Sequence, residues 1–593
     1  MRFTIFLLIN LLLIAGSVRS DDSARPAVGS VVDDFTFTDI RYLPRTLSDF
    51  DQRKAFVLIF TTLDCPIVRR SLPKLRRLDE EFRSKGVQFL AIIAGPDDSV
   101  VDVAHQAVKA DIAFPFSKDF SGEVVAAVGA TRTPECVVLD AKRQLKYRGR
   151  IDSEFRLGGV SPNAGREDLR ESIEDILADR DVRIAETPVD GCLITKPNQP
   201  PVRNLTYYQD VAPLMKQHCQ KCHHPNNAAP FSLLTYEDVN RHAAMIAEVV
   251  AQRRMPPWHA ASEHGTFINN LNLPTADIRT ITEWATGDRA AGNIADGPPP
   301  LEPRNSDWLI GEPDLVVRLP SPEMIPAEGY VPYRYALLPH VFLEDTWVQK
   351  IEINPGNDDV VHHCNMGYAS ITDIHGKDFH PEKNFITGFV PGGDPMVLDS
   401  GIAFRIPAGS VVGVQLHYVT TGEATTDQTA VGFVFAKEKI QKQIRHFQCN
   451  GRGFAIPPEA SHHAVKASKS FQEDATGIGM FCHMHLRGKD MTFAATYPDQ
   501  RQEILLSVPN YNFEWQSSYR WAVDQMKFPK GTRVDCTAHF DNSAFNPFNP
   551  DPSATVKFGL QTYHEMMYGF LFYTNDNEAL NLTIDPKTGR VVK

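Results

Sequence analysis

The stretch AFVLIFTTLDCP, residues 55–66, joins an apolar run of one strand's length to a Cys-Pro step that is typical of a helix start. A Leu- and Arg-rich helical stretch follows, and then a second apolar run, VQFLAIIAG. A helical segment around 100–110, the turn at Thr133-Pro134 and the run ECVVLD continue the alternation. Alternating strands and helices predict an α/β domain, which we place at residues 21–195.

Two Pro-rich polar segments, 196–204 and 296–306, divide the remaining chain. Residues 205–292 have a helical pattern that predicts an all-α domain. From residue 307 onward, short alternating runs broken by Pro and Gly predict an all-β region. A multidomain chain is expected at 593 residues, because single cores rarely grow beyond about 250–300 residues.

The N-terminus has the layout of a cleaved secretory signal, residues 1–20, with Arg2, an apolar run and small residues before Asp21. We therefore expect a secreted protein, periplasmic or extracellular. No apolar run approaches the roughly 20 residues that span a bilayer, so no membrane span is expected. Without residues 1–20 the chain has 59 Lys plus Arg against 73 Asp plus Glu, and this acidic balance argues against nucleic acid as a partner.

Residues 219–223 read Cys-Gln-Lys-Cys-His, the C-x-x-C-H pattern of covalent haem attachment. The thiols of Cys219 and Cys222 can form thioethers with haem vinyl groups, and His223 can ligate the iron. Zinc binding or a disulfide is the alternative use of such a pair. With the stretches APFSLLTYED and RRMPPWHA, the motif resembles the small c-type cytochrome domains of large exported bacterial redox proteins.

The sixth iron ligand of a cytochrome is commonly a Met thioether. Met255 lies 32 residues beyond the axial histidine in a Pro-rich loop and is our expected ligand. His242 and His259 are the alternatives, while Met215 and Met245 are expected to be core residues.

Three short motifs in the C-terminal half contain paired or neighbouring metal-binding side chains: Val361-His362-His363, Gln415-Leu416-His417-Tyr418 and His483-Met484-His485. Strand periodicity places His483 and His485 on one face and Gln415 beside His417. The adjacent His362 and His363 would point to opposite faces of a regular strand, so joint ligation requires a β-bulge or a strand end. Met566 adds a thioether, which together with imidazoles favours copper over zinc.

In this order the motifs HH, QxHY, HxHxxG and EM resemble the copper type II, ascorbate-dependent monooxygenases, the family of dopamine β-monooxygenase and peptidylglycine α-hydroxylating monooxygenase. The resemblance spans about residues 310–575 and includes YNFEWQ, FPKGTRVDC and HEMMYGFLFY. It implies two jelly-roll-like β-sandwiches, residues 307–440 and 441–593. It also implies two copper sites: an electron-transfer copper held by His362, His363 and His417, and an O₂-binding, catalytic copper held by His483, His485 and Met566.

The family chemistry is hydroxylation of a substrate C–H bond with O₂, which consumes two electrons per turnover. The implied partners are a small-molecule substrate, O₂ and an electron donor, either an ascorbate-like molecule or a redox protein. The upstream haem segment predicts an internal electron supply. The alternative is a non-catalytic copper-binding and electron-transfer protein with a thiol-redox docking domain.

The substrate pocket is expected to suit neutral, apolar or aromatic molecules. In the amidating branch of the family an Arg occupies the position of Phe481, and Asn and Tyr occupy those of Tyr568 and Phe570. Phe481 offers neither a charge nor fork-like donors to a carboxylate. We therefore expect glycine-extended peptides to be poor substrates.

The N-terminal domain resembles the thioredoxin-like redoxins, with Cys65-Pro66 at a helix start and Thr133-Pro134 where that family has its cis-proline loop. A helix N-terminus lowers a thiol's pKa. Val68 stands in place of the second Cys of a C-x-x-C, so dithiol exchange within that loop is excluded. Cys65 is a candidate redox thiol, with peroxidase, sensor and inert docking roles all open.

Nine cysteines are present, and the two of the haem motif leave an odd number, so at least one thiol lacks a partner within a monomer. We expect that thiol to be Cys65, with Cys136 as either its resolving partner or a core residue. The others are open to copper binding, at Cys364 and Cys482, or to disulfide pairing among Cys364, Cys449, Cys482 and Cys536.

Overall fold

The computed structural model describes residues 25–50, 52–156, 159–160, 165–195, 203–225, 229–301, 306–374, 381–390 and 392–592. The predicted signal, residues 1–20, lies outside them, as does most of the predicted linker that begins at residue 196. Contacts divide the chain into two compact units. The first contains Met1–Phe37, Thr46–Ala94 and Asp119–Lys196, and the second contains Thr38–Arg45, Gly95–Lys118 and Pro197–Lys593.

The elements up to residue 195 alternate between strands and helices. In chain order they are β1 (Phe37–Asp39), β2 (Pro44–Arg45), a 3₁₀ turn (Leu47–Asp49), β3 (Ala55–Thr61), α1 (Pro66–Phe82), a 3₁₀ turn (Arg83–Lys85), β4 (Val87–Ile93), α2 (Val100–Lys109), β5 (Phe116–Lys118), α3 (Glu123–Val128), β6 (Arg132–Thr133), β7 (Glu135–Asp140), β8 (Leu145–Gly149), β9 (Phe155–Arg156), β10 (Gly159–Val160), α4 (Asp168–Leu177) and β11 (Cys192–Leu193).

The first unit is built on four adjacent strands in the order β4-β3-β7-β8. Strand β3 is parallel to β4 and antiparallel to β7, so β3, α1 and β4 form the predicted βαβ crossover. Every residue of β3 is buried, because the strand is covered on both faces and carries an unbroken apolar run. The predicted α/β domain is confirmed.

Two pieces of the predicted domain 21–195 belong to the second unit, namely residues 38–45 and 95–118. Arg41 forms an ion pair with Asp541 at 2.9 Å. His105 Nδ1 lies 3.2 Å from the Ser507 hydroxyl. These long-range contacts, invisible in local sequence, explain why the predicted boundary does not coincide with the compact unit.

The described residues from 203 to 301 contain helices and no strand. The helices are a π-helix (Tyr207–Val211), α5 (Ala212–His218), α6 (Tyr236–Arg241), α7 (Ala243–Ala251), α8 (Thr275–Thr286) and a 3₁₀ turn (Ile294–Asp296). Helices α7 and α8 pack together around Ile246, Val250 and Ile281. The closing helix ends at Thr286, earlier than the sequence pattern suggested.

Much of the segment between α7 and α8 packs on the β-rich region, although Leu273 at its end belongs to the helical core. The ring centroids of Trp258 and Tyr519 are 5.1 Å apart. The Ala261 N–H donates to the Ser507 carbonyl at 2.9 Å. The predicted domain 205–292 therefore includes a stretch that is structurally part of the following region.

From residue 307 the structure is a series of strands. They are β12 (Leu315–Arg318), β13 (Glu323–Ile325), β14 (Arg334–Phe342), β15 (Thr346–Asn354), β16 (Val361–Ser370), β17 (Phe385–Phe389), β18 (Met396–Val397), β19 (Ile402–Ile406), β20 (Ser410–Tyr418), β21 (Thr425–Asp427), β22 (Ala430–Phe435), β23 (Lys442–Gln443), β24 (Arg445–Asn450), β25 (Ala455–Ile456), β26 (His463–Ser470), β27 (Ala475–His483), β28 (Gly488–Thr496), β29 (Gln502–Val508), β30 (Ser518–Arg520), β31 (Met526–Phe528), β32 (Arg533–Phe540), β33 (Val556–Lys557) and β34 (Tyr568–Asn575), with a 3₁₀ turn at Pro381–Asn384.

These strands form two sets of sheets, and no sheet among the described residues mixes the two. The first set contains β12-β22-β15-β19-β23 with β18, the pair β13-β21, and β14-β20-β16-β17. The second contains β24-β34-β27-β30 with β31, the pair β25-β33, and β26-β32-β28-β29. In each set the two large sheets share one apolar core, as amphipathic strands require.

The change from the first set to the second falls between β23 and β24, a few residues after the predicted division at 440. The C-terminal tail then returns to the first set. Ile440 bridges to Leu582, and the Trp347 N–H donates to the Gly589 carbonyl at 2.7 Å. The last residues of the second predicted subdomain, 441–593, therefore pack with the first sheet set. No helix in the described ranges is long and apolar enough to cross a bilayer.

Candidate functional site

Two neighbouring strands, β16 and β20, bring three histidines together. His363 pairs with His417 across the strands, and the register shifts between Val361 and His363, so a β-bulge lies at His362. This is the distortion that joint ligation was predicted to need. His362 Nδ1 and His363 Nδ1 are 3.0 Å apart, and one ring nitrogen from each of the three histidines lies within 4.8 Å of the others.

Two nitrogens of this first cluster are buried with no hydrogen-bond partner among the described residues: His363 Nε2 and His417 Nδ1. Burial, reinforced by the neighbouring imidazoles, holds the pKa of His363 well below its ordinary value. Burial likewise lowers the pKa of His417 to about 3. Neutral rings with unpaired buried nitrogens are costly unless a ligand binds them, so this donor set fits a metal ion.

A second cluster forms where β27 ends and β34 begins. His483 is the last residue of β27, so His485 lies in the following turn and not on the strand, yet the two ring centroids are 5.2 Å apart. His483 Nδ1 lies 2.8 Å from Gln516 Oε1, and His485 Nδ1 lies 3.2 Å from the His564 carbonyl. Both Nδ1 atoms are thereby engaged, which directs the Nε2 atoms toward a shared ligand.

The Nε2 atom of His485 is buried and has no partner among the described residues. Met566 lines the same small cavity as His483 and His485, and its side chain is 5% exposed. Two imidazoles and a thioether form a soft donor set that suits copper, including Cu(I). The second cluster therefore also fits the metal that the sequence predicted.

The loop between β29 and β30 supports both clusters, and its role was missed by the sequence analysis. Glu514 Oε2 lies 2.5 Å from His362 Nε2, while Gln516 holds His483. Between them, the Phe513 ring packs against the first cluster and lies 6.1 Å from the His485 ring. The loop sequence YNFEWQ contributed to the family resemblance, but nothing in its spacing revealed which ring each polar side chain would reach.

Glu565 fixes the turn that carries His485. Its buried carboxyl accepts the backbone N–H groups of His485, at 2.9 Å, and Arg487, at 2.6 Å. Burial raises the pKa of Glu565 to about 8, and the hydrogen bonds from those N–H groups partly oppose the rise. The residue beside Met566 is thus a positioning group for the second cluster.

The cavity at the second cluster has a volume of about 30 Å³ and mainly aromatic walls. Its lining includes Phe385, Phe481, Tyr568 and Phe570, together with the polar Gln415. The three residues that the sequence analysis placed at the substrate pocket therefore meet at one cavity. Among the residues that the structure describes, no Arg or Lys side chain lines it.

The C-x-x-C-H motif forms a tight turn directly after α5. The N–H groups of Cys222 and His223 donate to the Cys219 carbonyl at 3.1 and 2.9 Å. His223 Nδ1 lies 3.1 Å from the Phe231 carbonyl, an arrangement that leaves Nε2 for iron. Two thiols and an oriented imidazole on one turn fit a covalently held haem.

The candidates for the sixth iron ligand differ in their surroundings. Met255 is half-buried after α7, and none of its described contacts is with His223. The His242 ring stacks on Phe231 at 4.1 Å, and Phe231 also contacts His223. His259 is buried, with Nδ1 3.1 Å from Asn510 Oδ1.

Of the two methionines expected in the core, Met215 is fully buried, but Met245 is 53% exposed. The expectation for Met245 was therefore wrong. Its helix α7 buries Ala243, Ile246 and Val250 on the opposite face.

A larger cavity, about 250 Å³, is lined by residues of both the C-x-x-C-H motif and the first cluster. Its lining includes Cys222, His363, Phe481 and Gln516. At its rim the Lys221 ammonium pairs with the Asp394 carboxylate at 2.6 Å. The C-x-x-C-H motif and the first cluster thus line one common cavity.

In the first unit, Cys65 caps the N-terminus of α1, and the Thr133-Pro134 bond is cis, as predicted. The Cys65 thiol donates to the Thr133 carbonyl at 3.2 Å. Its nearest sulfur is that of Cys192, at 3.1 Å, on β11.

The cysteines of the β-rich region are buried in two cores. Cys364 belongs to the core of the first sheet set and Cys482 to that of the second, so the suggested pairing of these two is wrong. Cys536 hydrogen-bonds to Cys449 within the second core. Burial raises the pKa of the Cys364, Cys482 and Cys536 thiols.

Comparison with known proteins identifies the first part of the chain. A model of the Redoxin family matches residues 27–156. The thiol-disulfide oxidoreductase ResA of Bacillus cereus is 24% identical over 143 residues, which cover 23% of this chain and 81% of that protein. The ResA of Geobacillus kaustophilus is 27% identical over 120 residues, covering 20% and 67%. A solved structure of a hypothetical protein from Sinorhizobium meliloti is 25% identical, covers 30% of this chain and 98% of its own, and has a TM-score of 0.28.

The N-terminal part of the chain is a redoxin domain.

Of the two roles open to Cys136, resolving partner or core residue, the structure supports the second. Cys136 lies on the central strand β7 opposite Ile59, is fully buried, and has its pKa raised by burial, so it is a core residue. The sulfur beside Cys65 is that of Cys192, which lies beyond the matched range and was not predicted. The sequence around Cys192 contains no motif, and the expectation that Cys65 is the thiol without a partner is not met, since Cys192 Sγ lies 3.1 Å from it.

Proposed function

We propose that the β-rich region is a copper-dependent monooxygenase that hydroxylates a C–H bond with O₂, in an exported protein whose fused c-type haem relays electrons. The observation that carries this proposal is the convergence of six predicted ligands into two clusters that contain unpaired, buried imidazole nitrogens. Structural histidines in a core normally find hydrogen-bond partners. In His485 the partner engages Nδ1 and leaves the buried Nε2 unpaired among the described residues, as a metal ligand requires.

His362, His363 and His417 would hold the electron-transfer copper. His483, His485 and Met566 would hold the O₂-binding copper, since only that cluster includes a thioether. Bound copper supplies one-electron redox chemistry and O₂ reactivity that no side chain of the chain can supply.

The protein's own contribution is to fix the ligands. Glu514 and Gln516 set the ring orientations of His362 and His483, and Glu565 fixes the turn between His483 and Arg487. Ligands held in this way would not need to move when a bound copper ion changes its oxidation state. The Phe513 ring lies near both clusters and places an apolar face beside each.

The aromatic walls of the smaller cavity favour neutral substrates. Phe481, Tyr568 and Phe570 offer apolar faces, and a carboxylate placed there would lose its charge-assisted hydrogen bonds, at a cost of about 1.5–3 kcal/mol each. We therefore propose neutral alkyl or aromatic C–H substrates and expect little activity on glycine-extended peptides.

The larger cavity supports the proposed electron supply. A haem attached through Cys222 would adjoin the space that His363 also lines. The Lys221–Asp394 ion pair fixes the attachment turn against the β-rich region. A haem and a copper ion that adjoin one cavity would be placed for electron transfer within the chain.

The proposal is tested by metal analysis of the full chain matured with haem and copper. We expect two coppers and one haem per chain, with His417→Ala reducing the copper content to one. His463→Ala, a partly exposed histidine of β26 outside both clusters, is the matched control and should keep both coppers. Zinc alone, or no copper loss in His417→Ala, would refute the assignment. Two coppers without O₂-dependent product would indicate the non-catalytic carrier instead.

A further inference from the structure

Strand β11 lies against the active-site loop of the redoxin domain through close backbone contacts. It pairs antiparallel with β6, with Cys192 opposite Thr133. An added Cβ at Gly191 would lie 2.3 Å from the Thr133 carbonyl oxygen, so only glycine allows this approach. Arg132 donates to the Gly191 carbonyl at 2.8 Å. These backbone contacts therefore fix the position of Cys192 beside Cys65.

We propose that Cys65 and Cys192 form a reversible dithiol–disulfide pair, with Cys192 taking the role that Val68 cannot perform. Their sulfurs are 3.1 Å apart, and each belongs to the redoxin domain's own compact unit. This pair is independent of the proposed copper function, because it uses neither cluster nor the haem motif.

The net reaction exchanges two electrons and two protons with a partner of the thiol–disulfide class. Two thiols, Cys65-SH and Cys192-SH, plus a partner disulfide RSSR give the internal Cys65–Cys192 disulfide and two RSH. One S–S bond breaks, one forms, and the two protons move to the released thiols. The reverse reaction oxidises two partner thiols to a disulfide.

The two sulfurs differ in exposure, which assigns their roles. Cys65 is 1% exposed, whereas Cys192 is partly exposed and is the sulfur that a partner can reach. In the oxidised pair a partner thiolate therefore attacks Cys192, forming a mixed disulfide there and releasing Cys65 as the leaving thiolate. A second partner thiol then displaces Cys192.

The environment of Cys65 suits a leaving thiolate. Burial acts to raise its pKa, but hydrogen bonds from the Val68 backbone and from the side chains of Cys192 and Thr133 outweigh burial, so the pKa lies below its ordinary value. The hydrogen bond with Cys65, followed by burial, raises the pKa of Cys192 to about 11. A sulfur with the lower pKa leaves faster in thiol–disulfide exchange.

The test uses the full-length protein equilibrated in glutathione buffers of increasing potential, then acid-quenched, alkylated and digested without reduction. We expect the Cys65 and Cys192 peptides to become linked as the potential rises and to separate again on reduction. Cys65→Ser and Cys192→Ser should each abolish the linked species, whereas Cys136→Ser, the buried control in the same domain, should retain it. Absence of the link in wild type, or a link from Cys65 to another cysteine, would overturn the proposal.

The order of attack is tested on the oxidised wild-type protein with a limiting amount of glutathione. We expect the trapped glutathione on Cys192 and the alkylating label on Cys65. Glutathione found on Cys65 would overturn the assigned roles. The copper and haem content of each serine variant checks its folding, because Cys65 and Cys192 belong to neither the copper clusters nor the haem motif. Loss of the copper sites with the sulfur link intact would instead contradict only the proposed function.

Discussion

At the scale of single residues, Glu514 and Gln516 are the supports whose roles could not be predicted. They are two positions apart in one loop, yet one reaches His362 and the other His483. The ligands themselves belonged to motifs with recognisable spacing. Their supports come from a loop whose path depends on tertiary packing, so no local pattern indicates them.

Glu514→Gln should weaken copper binding at the first cluster by about 10- to 100-fold, because replacing a carboxylate that orients a metal-binding histidine has effects of this size. The second cluster should be unaffected. Competitive titration with a copper chelator measures both sites. The control Glu473→Gln alters an exposed carboxyl away from the clusters. Equal weakening of both clusters by Glu514→Gln would contradict its assignment to His362.

Met566→Leu removes the thioether while nearly conserving side-chain volume. We expect selective loss of Cu(I) affinity at the second cluster, with the first cluster retained, because only the second contains a thioether. X-ray absorption of the reduced protein should lose its sulfur contribution. Met567→Leu is the matched control, because Met567 is the next residue and its side chain is buried in the core of the second sheet set. A sulfur signal that survives in Met566→Leu would show that Met566 is not a ligand.

At the scale of elements, the sequence predicted a β-bulge correctly but not where strands end. The bulge at His362 follows from two adjacent histidines that must face one ligand, and the structure contains it. The end of β27 at His483 could not be inferred, because it depends on a distant residue: the His485 backbone N–H donates to the Glu565 carboxyl. β11, only two residues long, also gave no sequence signal, since it forms through pairing with β6.

Gly191→Ala should displace β11 from Thr133. A Cβ 2.3 Å from a carbonyl oxygen forces a backbone shift, and such overpacking costs about 1–3 kcal/mol. We expect the equilibrium for the Cys65–Cys192 link to fall on the order of tenfold, measured by the same peptide mapping. Gly165→Ala is the control, because its added Cβ meets no atom within 4 Å. An unchanged link in Gly191→Ala would mean that β11 does not position Cys192.

At the scale of the whole molecule, the domain order was predictable but the boundaries were not. The tail from Leu580 onward packs with Trp347, and the segment around Trp258 packs with Tyr519. These segments bury their apolar side chains against regions that are distant in the sequence. The same packing places the haem motif beside the first cluster across one cavity.

If the haem supplies electrons to the copper sites, O₂ should reoxidise pre-reduced haem faster in copper-loaded protein than in copper-free protein. Stopped-flow absorbance at the haem bands measures both rates. His417→Ala, with one copper missing, should resemble the copper-free protein. Equal rates in all three would indicate modules that share a chain without exchanging electrons.

The most direct test of the central claim is a turnover with isotopically labelled O₂ and a neutral aromatic or alkyl substrate, using copper-loaded protein. Mass spectrometry should find one labelled oxygen atom in each hydroxylated product, with no product from copper-free protein. Product that carries oxygen from water, or equal product without copper, would contradict a copper monooxygenase.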